Sequence, residues 1–206
     1  IDGAYNHFEK NNIIPDLITG DFDSIHTIPS TVEVINTPDQ NYTDFDKALL
    51  ILKERGYFNI DVYGGSGKEH DHFLGNISTA LQWKTKLNIT FFDDFGSYFF
   101  IEENIKLSNL KGRNTSLIPF PMATEICTKG LLYPLINEDL TFGERIGTRN
   151  KACENTVETT KNSNPENTQF FIVVIIICLN IFGKIITFLA FNVKATLKKM
   201  NNFMFF

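Results

Sequence analysis

Leu17-Ile18-Thr19-Gly20-Asp21-Phe22-Asp23-Ser24-Ile25 is the stretch on which the reading of this chain turns. A short apolar run reaches a glycine and then presents two carboxylates one residue apart. In an extended segment, positions i and i+2 point to the same side. Asp21 and Asp23 are therefore expected to converge on one point, while Phe22 faces the core. Two carboxylates aimed at one spot repel each other unless a cation or a shared proton lies between them. Hard oxygen ligands of this kind suit magnesium, which is commonly held by one or two carboxylates plus substrate phosphates. The plain alternative is a solvated turn, because Asp, Gly and Ser are ordinary turn residues.

Working outward, Tyr5 to Asn11 reads as a short helix, and Ile13-Ile14-Pro15-Asp16 leads into the strand that ends at Asp21. Val32 to Ile35 is a second β-branched run, closed by Thr37-Pro38-Asp39-Gln40. Thr43 is a good N-cap for a helix through about Arg55, with Asp44 and Asp46 in the first turn, where the helix dipole favours anions. Phe45, Ala48, Leu49 and Leu52 give that helix one apolar face, and Gly56 stops it. Asn59 to Tyr63 is the next strand. Gly64-Gly65-Ser66-Gly67 follows directly, and then a helix containing Asp71, His72, Asn76 and Ala80. A strand, a glycine-rich turn and a helix N-terminus make an anion cradle, because free backbone N–H groups point outward there. Ile89 to Phe92 is a further strand. Strands alternating with helices imply a doubly wound parallel sheet, whose ligands lie beyond the carboxyl ends of its strands. Asp21, the Gln40–Asp44 loop and the Gly64–Asp71 loop should gather on that edge.

From Ser97 the texture changes. Short apolar stretches (Tyr98–Ile101, Thr115–Ile118, Gly130–Leu135) are separated by Gly, Pro and Asn, an all-β pattern that places a domain boundary near residues 96–108. The 206 residues suffice for one large domain or two small ones. A formal net charge of -5, with no Lys/Arg cluster before the C-terminal tail, argues against a nucleic-acid footprint. Cys127, Cys153 and Cys178 are odd in number and widely spaced, which fits neither a disulfide framework nor a zinc site and points to a reducing compartment. The sequon Asn41-Tyr42-Thr43 would put glycan in the proposed site, which also favours a cytoplasmic location. No secretory signal opens the chain. It starts at Ile1-Asp2-Gly3 without Met, so an N-terminal truncation is expected.

Taken together, Gly20-Asp21-Phe22-Asp23-Ser24-Ile25, Thr37-Pro38-Asp39-Gln40-Asn41-Tyr42-Thr43-Asp44-Phe45 and Gly64-Gly65 leading to Asp71-His72 and Asn76 resemble the thiamine pyrophosphokinase family of bacterial type, in the family's order. Ile1-Asp2-Gly3-Ala4-Tyr5-Asn6 resembles the family's A-D-G-G-A-N stretch, without the strand that precedes it. Thr128-Lys129-Gly130-Leu131-Leu132-Tyr133-Pro134-Leu135 and Gly147-Thr148-Arg149-Asn150 resemble its T-G-L-x-W-x-L and S-T-S-N stretches. The resemblance implies an ATP- and magnesium-binding α/β domain over 1–100 and a thiamine-binding β-sandwich over 108–160. It implies transfer of the pyrophosphoryl group of ATP to thiamine by a homodimer with a shared site. By the same resemblance Asp21, Asp23 and Asp44 hold magnesium, and Asp71 joins them as a catalytic residue. Asp2, Asn6, Gln40 and Gly65 serve the nucleotide, and Tyr133, Thr148 and Asn150 bind thiamine. The chain departs from the family at Glu69-His70, where an Arg is common and Lys68 is the available substitute. It departs again at Gly147 and Arg149 in place of two serines, and at Tyr133 in place of Trp. His70 and His72 read as helix-surface or packing residues.

The segment 161–206 is an atypical tail. The apolar run Phe170 to Val193 is long enough to span a bilayer, and Lys194, Lys198 and Lys199 follow it. A single span obeying that charge bias would place the ATP-using domain outside. The remaining readings are a sandwich strand at Phe170–Ile177 with a membrane-associated or disordered remainder, a reversed anchor, or a reading-frame shift after about Val157. The last is favoured because the composition changes abruptly. Two rivals to the kinase stand beside it: a haloacid-dehalogenase-type phosphatase using Asp21 and Asp23, and a catalytically impaired remnant that binds ATP and magnesium.

Overall fold

The computed structural model describes residues 1–23, 30–101, 104–161, 172–177 and 202–205. Ser24 and Ile25 of the opening stretch lie outside the described residues. Contacts divide the chain between Asp93 and Asp94 into two units, with Asn202–Phe205 belonging to the first.

The first unit begins with a one-turn 3-10 helix, Asp2–Ala4, and helix α1, Tyr5–Lys10. Strand β1, Leu17–Gly20, pairs in parallel with β2, Glu33–Asn36. Helix α2, Asp44–Glu54, follows, and Thr43 caps it: its hydroxyl accepts from the Asp46 N–H at 3.2 Å. Strand β3, Asn59–Tyr63, pairs in parallel with β4, Asn88–Asp93, and helix α3, His70–Trp83, connects them. The parallel pairing follows the alternating strand and helix signals, with α3 as the crossover between β3 and β4; β1 and β2, however, form a two-stranded sheet of their own and not one continuous sheet with β3 and β4. Phe45 and Leu49 of α2, Ile60 and Val62 of β3 and Phe91 of β4 are buried. The Phe45 and Phe91 rings meet edge to face, 5.7 Å between centroids. Burial of β3 pushes the Asp61 carboxyl up from its ordinary value. Burial, reinforced by Asp61, pushes the Tyr63 phenol to about 12.

The second unit is antiparallel throughout its described pairings. Its strands are β5, Gly96–Ile101; β6, Ile105–Ser108; β7, Asn114–Pro119; β8, Met122–Lys129; β9, Glu138–Thr141; β10, Gly147–Lys151; β11, Thr156–Lys161; and β12, Ile172–Ile177. Strand β12 lies between β5 and β7, β10 flanks β7, and the second sheet runs β6-β11-β8-β9. Ile101 and Leu117 from the first sheet and Ala123, Ile126 and Leu140 from the second share one buried cluster, which makes the unit a sandwich.

Two expectations change, and one of the readings of the tail is met. The boundary falls ahead of residues 96–108, because Gly96–Ile101 pairs with β12 and so belongs to the sandwich, not to an α/β domain ending at 100. Gly130–Leu135 is not a strand: the preceding Met122–Lys129 is, and Gly130 turns out of it with φ +80. Part of the tail is strand, since Ile172–Ile177 pairs on both edges, and a short apolar run is what a strand flanked on both sides reads as. The rest of the Phe170–Val193 run and Lys194, Lys198 and Lys199 lie outside the described residues. Further on, strand β13, Asn202–Phe205, adds in parallel to β3. Among the described residues no helix is long and apolar enough to cross a membrane.

Candidate active site

β1 ends at Gly20, one residue before the first carboxylate. The chain then leaves extended geometry: Phe22 adopts φ +65, and the Asp23 N–H donates to Asp21 Oδ1 at 3.3 Å. Asp21 and Asp23 are thus two sides of a tight turn, not the i and i+2 positions of a strand. A left-handed conformation at a bulky residue is strained and needs support from its surroundings. Phe22 has that support, because its ring packs on the cluster of Ala4, Tyr5, Phe8, Ile18 and Val32. The apolar anchor expected of Phe22 is therefore present, and it holds a turn.

The end of β2 is tied to the same place. The Thr37 N–H donates to Gly20 O at 2.8 Å, which sets the 37–43 loop beside Asp21. Gln40 Nε2 donates to Asp21 Oδ2 at 3.1 Å. That bond first, then the Asp23 N–H, holds the Asp21 carboxyl below the usual carboxylate range, and Lys47 adds a smaller pull. Asp39 turns the loop by accepting at one oxygen from both the backbone N–H (2.9 Å) and the amide (2.8 Å) of Asn41.

Lys47 is the group that sequence reading missed. Its ammonium lies 2.6 Å from Asp44 Oδ1 and donates to Thr37 O at 2.7 Å and to Asp39 O at 3.1 Å. Three acceptors from one loop and one helix turn converge on it, and its side chain is only 11% exposed. The signal was available: Asp44 and Lys47 stand three apart on a helix, where side chains meet. Asp46 takes a different partner, accepting from the Trp83 indole N–H.

On the other loop, Asn76 Nδ2 donates to Gly65 O at 3.1 Å, and Ser66 Oγ donates to Asp93 at 2.8 Å. A Cβ on Gly65 would lie 2.9 Å from the Phe91 ring, so the loop backbone sits directly on the core. Asp71 opens α3 and accepts from the His72 N–H at 2.9 Å. Among the described residues, Glu69, Asp71 and His72 form the one trio of ligating groups within 4.8 Å of one another, with His72 3.5 Å from Glu69. Asp21, Asp23 and Asp44 are not drawn that close, because Asp44 leans on Lys47. The structure thus joins Asp21 to Gln40 and Asp44 to Lys47, and sets Asp71 with Glu69 and His72. Asn6 is exposed on α1, and Asp2 lies in the 3-10 turn.

In the sandwich unit, Tyr133 follows β8 with its side chain exposed, and Asn150 of β10 bonds both of its backbone groups. Thr148 is exposed on the same strand.

A domain model described as the catalytic domain of thiamin pyrophosphokinase matches residues 1–91, and one described as its vitamin B1 binding domain matches residues 102–163. Thiamine pyrophosphokinase of Bacillus subtilis is 32% identical over 146 residues, which are 65% of this chain and 68% of that protein. The chain belongs to the thiamine pyrophosphokinase family. Thiamine pyrophosphokinase 1 of rice is 31% identical over 73% of this chain and 64% of its own length, so the chain spans about two thirds of the curated relatives named here. The crystal structure of the Bacillus subtilis thiamine pyrophosphokinase superposes with a TM-score of 0.71 at 25% identity, covering 83% of this chain and 82% of that one. The family is one of enzymes with this two-domain fold, and both halves of it are present here. Asp21, Gln40, Asp44, Lys47 and Gly65 all lie within the part matched to the catalytic domain, and Tyr133 and Asn150 lie within the part matched to the vitamin-binding domain.

Proposed function

We propose that this chain transfers the pyrophosphoryl group of ATP to the hydroxyl of thiamine. The hydroxyl oxygen bonds to the β-phosphorus, the bond from that phosphorus to the α–β bridging oxygen breaks, and AMP leaves. The hydroxyl proton passes to an acceptor of the acidic cluster. The observation that carries the reading is the arrangement at the carboxyl ends of β1 and β2. There Asp21 is held ionised by Gln40, beside Asp44 and Lys47, in the part matched to a pyrophosphokinase catalytic domain.

The donor chemistry fits magnesium: Asp21, Asp23 and Asp44 offer hard carboxylate oxygens, and these residues would hold it. Bound there, it would neutralise phosphate charge, which is the main demand of phosphoryl-type transfer. The chain's own groups supply the rest. Gln40 and the Asp23 N–H fix Asp21, and Lys47 fixes the loop that carries Gln40. The glycine loop at 64–67, ahead of α3, would offer backbone N–H groups to phosphates. Thiamine carries a cationic thiazolium, which favours an acidic site and the π face of Tyr133. Homodimerisation through the sandwich and a cytoplasmic location complete the reading.

Product analysis after mixing the protein with thiamine, ATP and magnesium tests the proposal. Thiamine diphosphate and AMP in equal amounts are expected. Release of ADP or inorganic phosphate alone would overturn it in favour of a phosphatase. ATP binding without any product would mark the chain as an impaired member of the family.

A further inference from the structure

After Gly130 the chain runs back along β10 and its extension. Cys153 N–H donates to Gly130 O at 2.8 Å, Leu131 bridges Ala152, and Leu132 N–H donates to Lys151 O at 2.8 Å. The next rung would fall at Tyr133, and there β10 is no longer straight. Between Gly147, opposite Leu117, and Asn150, opposite Thr115, β10 takes three steps to two on β7. Arg149, in the bulge, has φ +53, and its N–H is taken by Ser116 Oγ at 2.9 Å.

The missing rung is closed by a side chain. Asn150 Nδ2 donates to Tyr133 O at 2.6 Å, and Asn150 Oδ1 accepts from Tyr133 N–H at 3.0 Å. The same oxygen accepts from Lys151 N–H at 2.9 Å. Two backbone N–H groups face one atom, which fixes that atom as the oxygen. A carboxamide carries the donor and acceptor of a peptide group, so Asn150 pairs with Tyr133 as a strand residue would. Both lone pairs of Oδ1 are then engaged, and one N–H of the amide has its acceptor. Tyr133 is pinned at both backbone groups, yet its side chain is 69% exposed.

We propose that Asn150 is a positioning residue, whose amide stands in for a β-ladder rung and presents the Tyr133 ring as the stacking face for the flat, cationic vitamin. This rests on the reading of the sandwich unit as thiamine-binding. Asn150 acts on substrate through Tyr133, not as its hydrogen-bond acceptor.

The test is a double-mutant cycle in the full chain, read as KM for thiamine at saturating ATP, with kcat and the KM for ATP as controls. Tyr133→Ala is expected to raise the thiamine KM by about tenfold, the scale of a lost cation–π face. Asn150→Ala should raise it by roughly three- to tenfold, with kcat and the KM for ATP unchanged. The double variant should be no worse than Tyr133→Ala alone. Multiplying effects would overturn the proposal, since they would place Asn150 on the substrate itself. An unchanged thiamine KM in Tyr133→Ala would overturn both this role and the vitamin-site reading. Should Asn150→Ala fail to fold, Asn150→Gln, which keeps the amide but displaces it by a methylene, must show the same dependence on Tyr133. Calorimetric thiamine binding replaces KM for any variant too slow to assay.

Discussion

Around Asp21 the polar groups are held by charge, whereas around Tyr133 they are held by shape. Asp21 is fixed by Gln40, and Asp44 by the Lys47 ammonium, which also gathers the Thr37 and Asp39 carbonyls. The bonds that fix Tyr133 involve no ionised side chain: a neutral carboxamide, a bulged strand and backbone groups do the holding. Charge-held loops respond to pH, salt and arriving ions, and they can exchange an internal partner for an external one. A loop held by ladder geometry does not respond in that way. The first arrangement suits a polyanionic substrate arriving with a metal, and the second suits a flat organic cation whose stacking face must already be in place.

The largest expected effect breaks the charged side alone. Asp21→Asn combined with Asp44→Asn should lower turnover by about 10³-fold or more, from the electrostatic contribution of such groups. Thiamine binding measured by calorimetry should remain intact, and retained turnover would defeat the assignment of these carboxylates. On the other side, Gly130→Ala should be the most damaging single change to folding. Its Cβ would stand 2.2 Å from Thr156 O, at φ +80. Left-handed strain and overpacking together suggest a loss of about 2–5 kcal/mol in chemical denaturation. Gly65→Ala meets a side chain and not backbone, the buried Phe91 ring at 2.9 Å, and should cost about 1–3 kcal/mol.

Lys47→Met keeps most of the buried stem but removes the charge. It should cost about 2 kcal/mol of stability, the scale of a charge-assisted hydrogen bond, and raise the KM for ATP while sparing the KM for thiamine. Equal losses for both substrates would erase the contrast between the two regions. The smallest effects concern pH. Asp21 has a lowered folded pKa, so its contribution to stability is present above the unfolded value and lost as pH falls through the folded one. Asp61 has a raised folded pKa, so its contribution is present at low pH and lost as pH rises through the folded value. Asp61→Asn should therefore raise Tm slightly at neutral pH and leave it unchanged near pH 3, whereas Asp21→Asn should lower Tm slightly at neutral pH.

Much of the first unit was legible because its signals are local. Thr43 caps where a cap was read, Asn59–Tyr63 is the strand expected, and the helix after the glycine loop carries Asp71 in its first turn. The geometry of the acidic pair was not legible. Nothing in Asp-Phe-Asp announces a left-handed Phe22, which depends on a ring seated among α1, β1 and Val32. Met122–Lys129 hid for a comparable reason. Glu125 sits at φ +55 in a register shift between Ala123 and Ile126, so the buried positions lose their alternation. Asn150 was recognisable as a motif residue, but its partner is 17 positions away across a bulge that only the fold creates. Ile172–Ile177 was ambiguous as an apolar run, and its long-range pairing with β5 and β7 decided it.

Trp83 is the chain's one tryptophan. Its indole donates to Asp46, two residues beyond Asp44 in the first turn of α2, and the Lys86 ammonium stands 5.0 Å from its ring centroid. The protein thus carries a built-in fluorophore wired to the start of the helix that bears Asp44, the carboxylate proposed to face the nucleotide. Emission during a stopped-flow mix with nucleotide would time the release of that turn without any label. On the proposed reading, vitamin added alone should leave that emission unchanged.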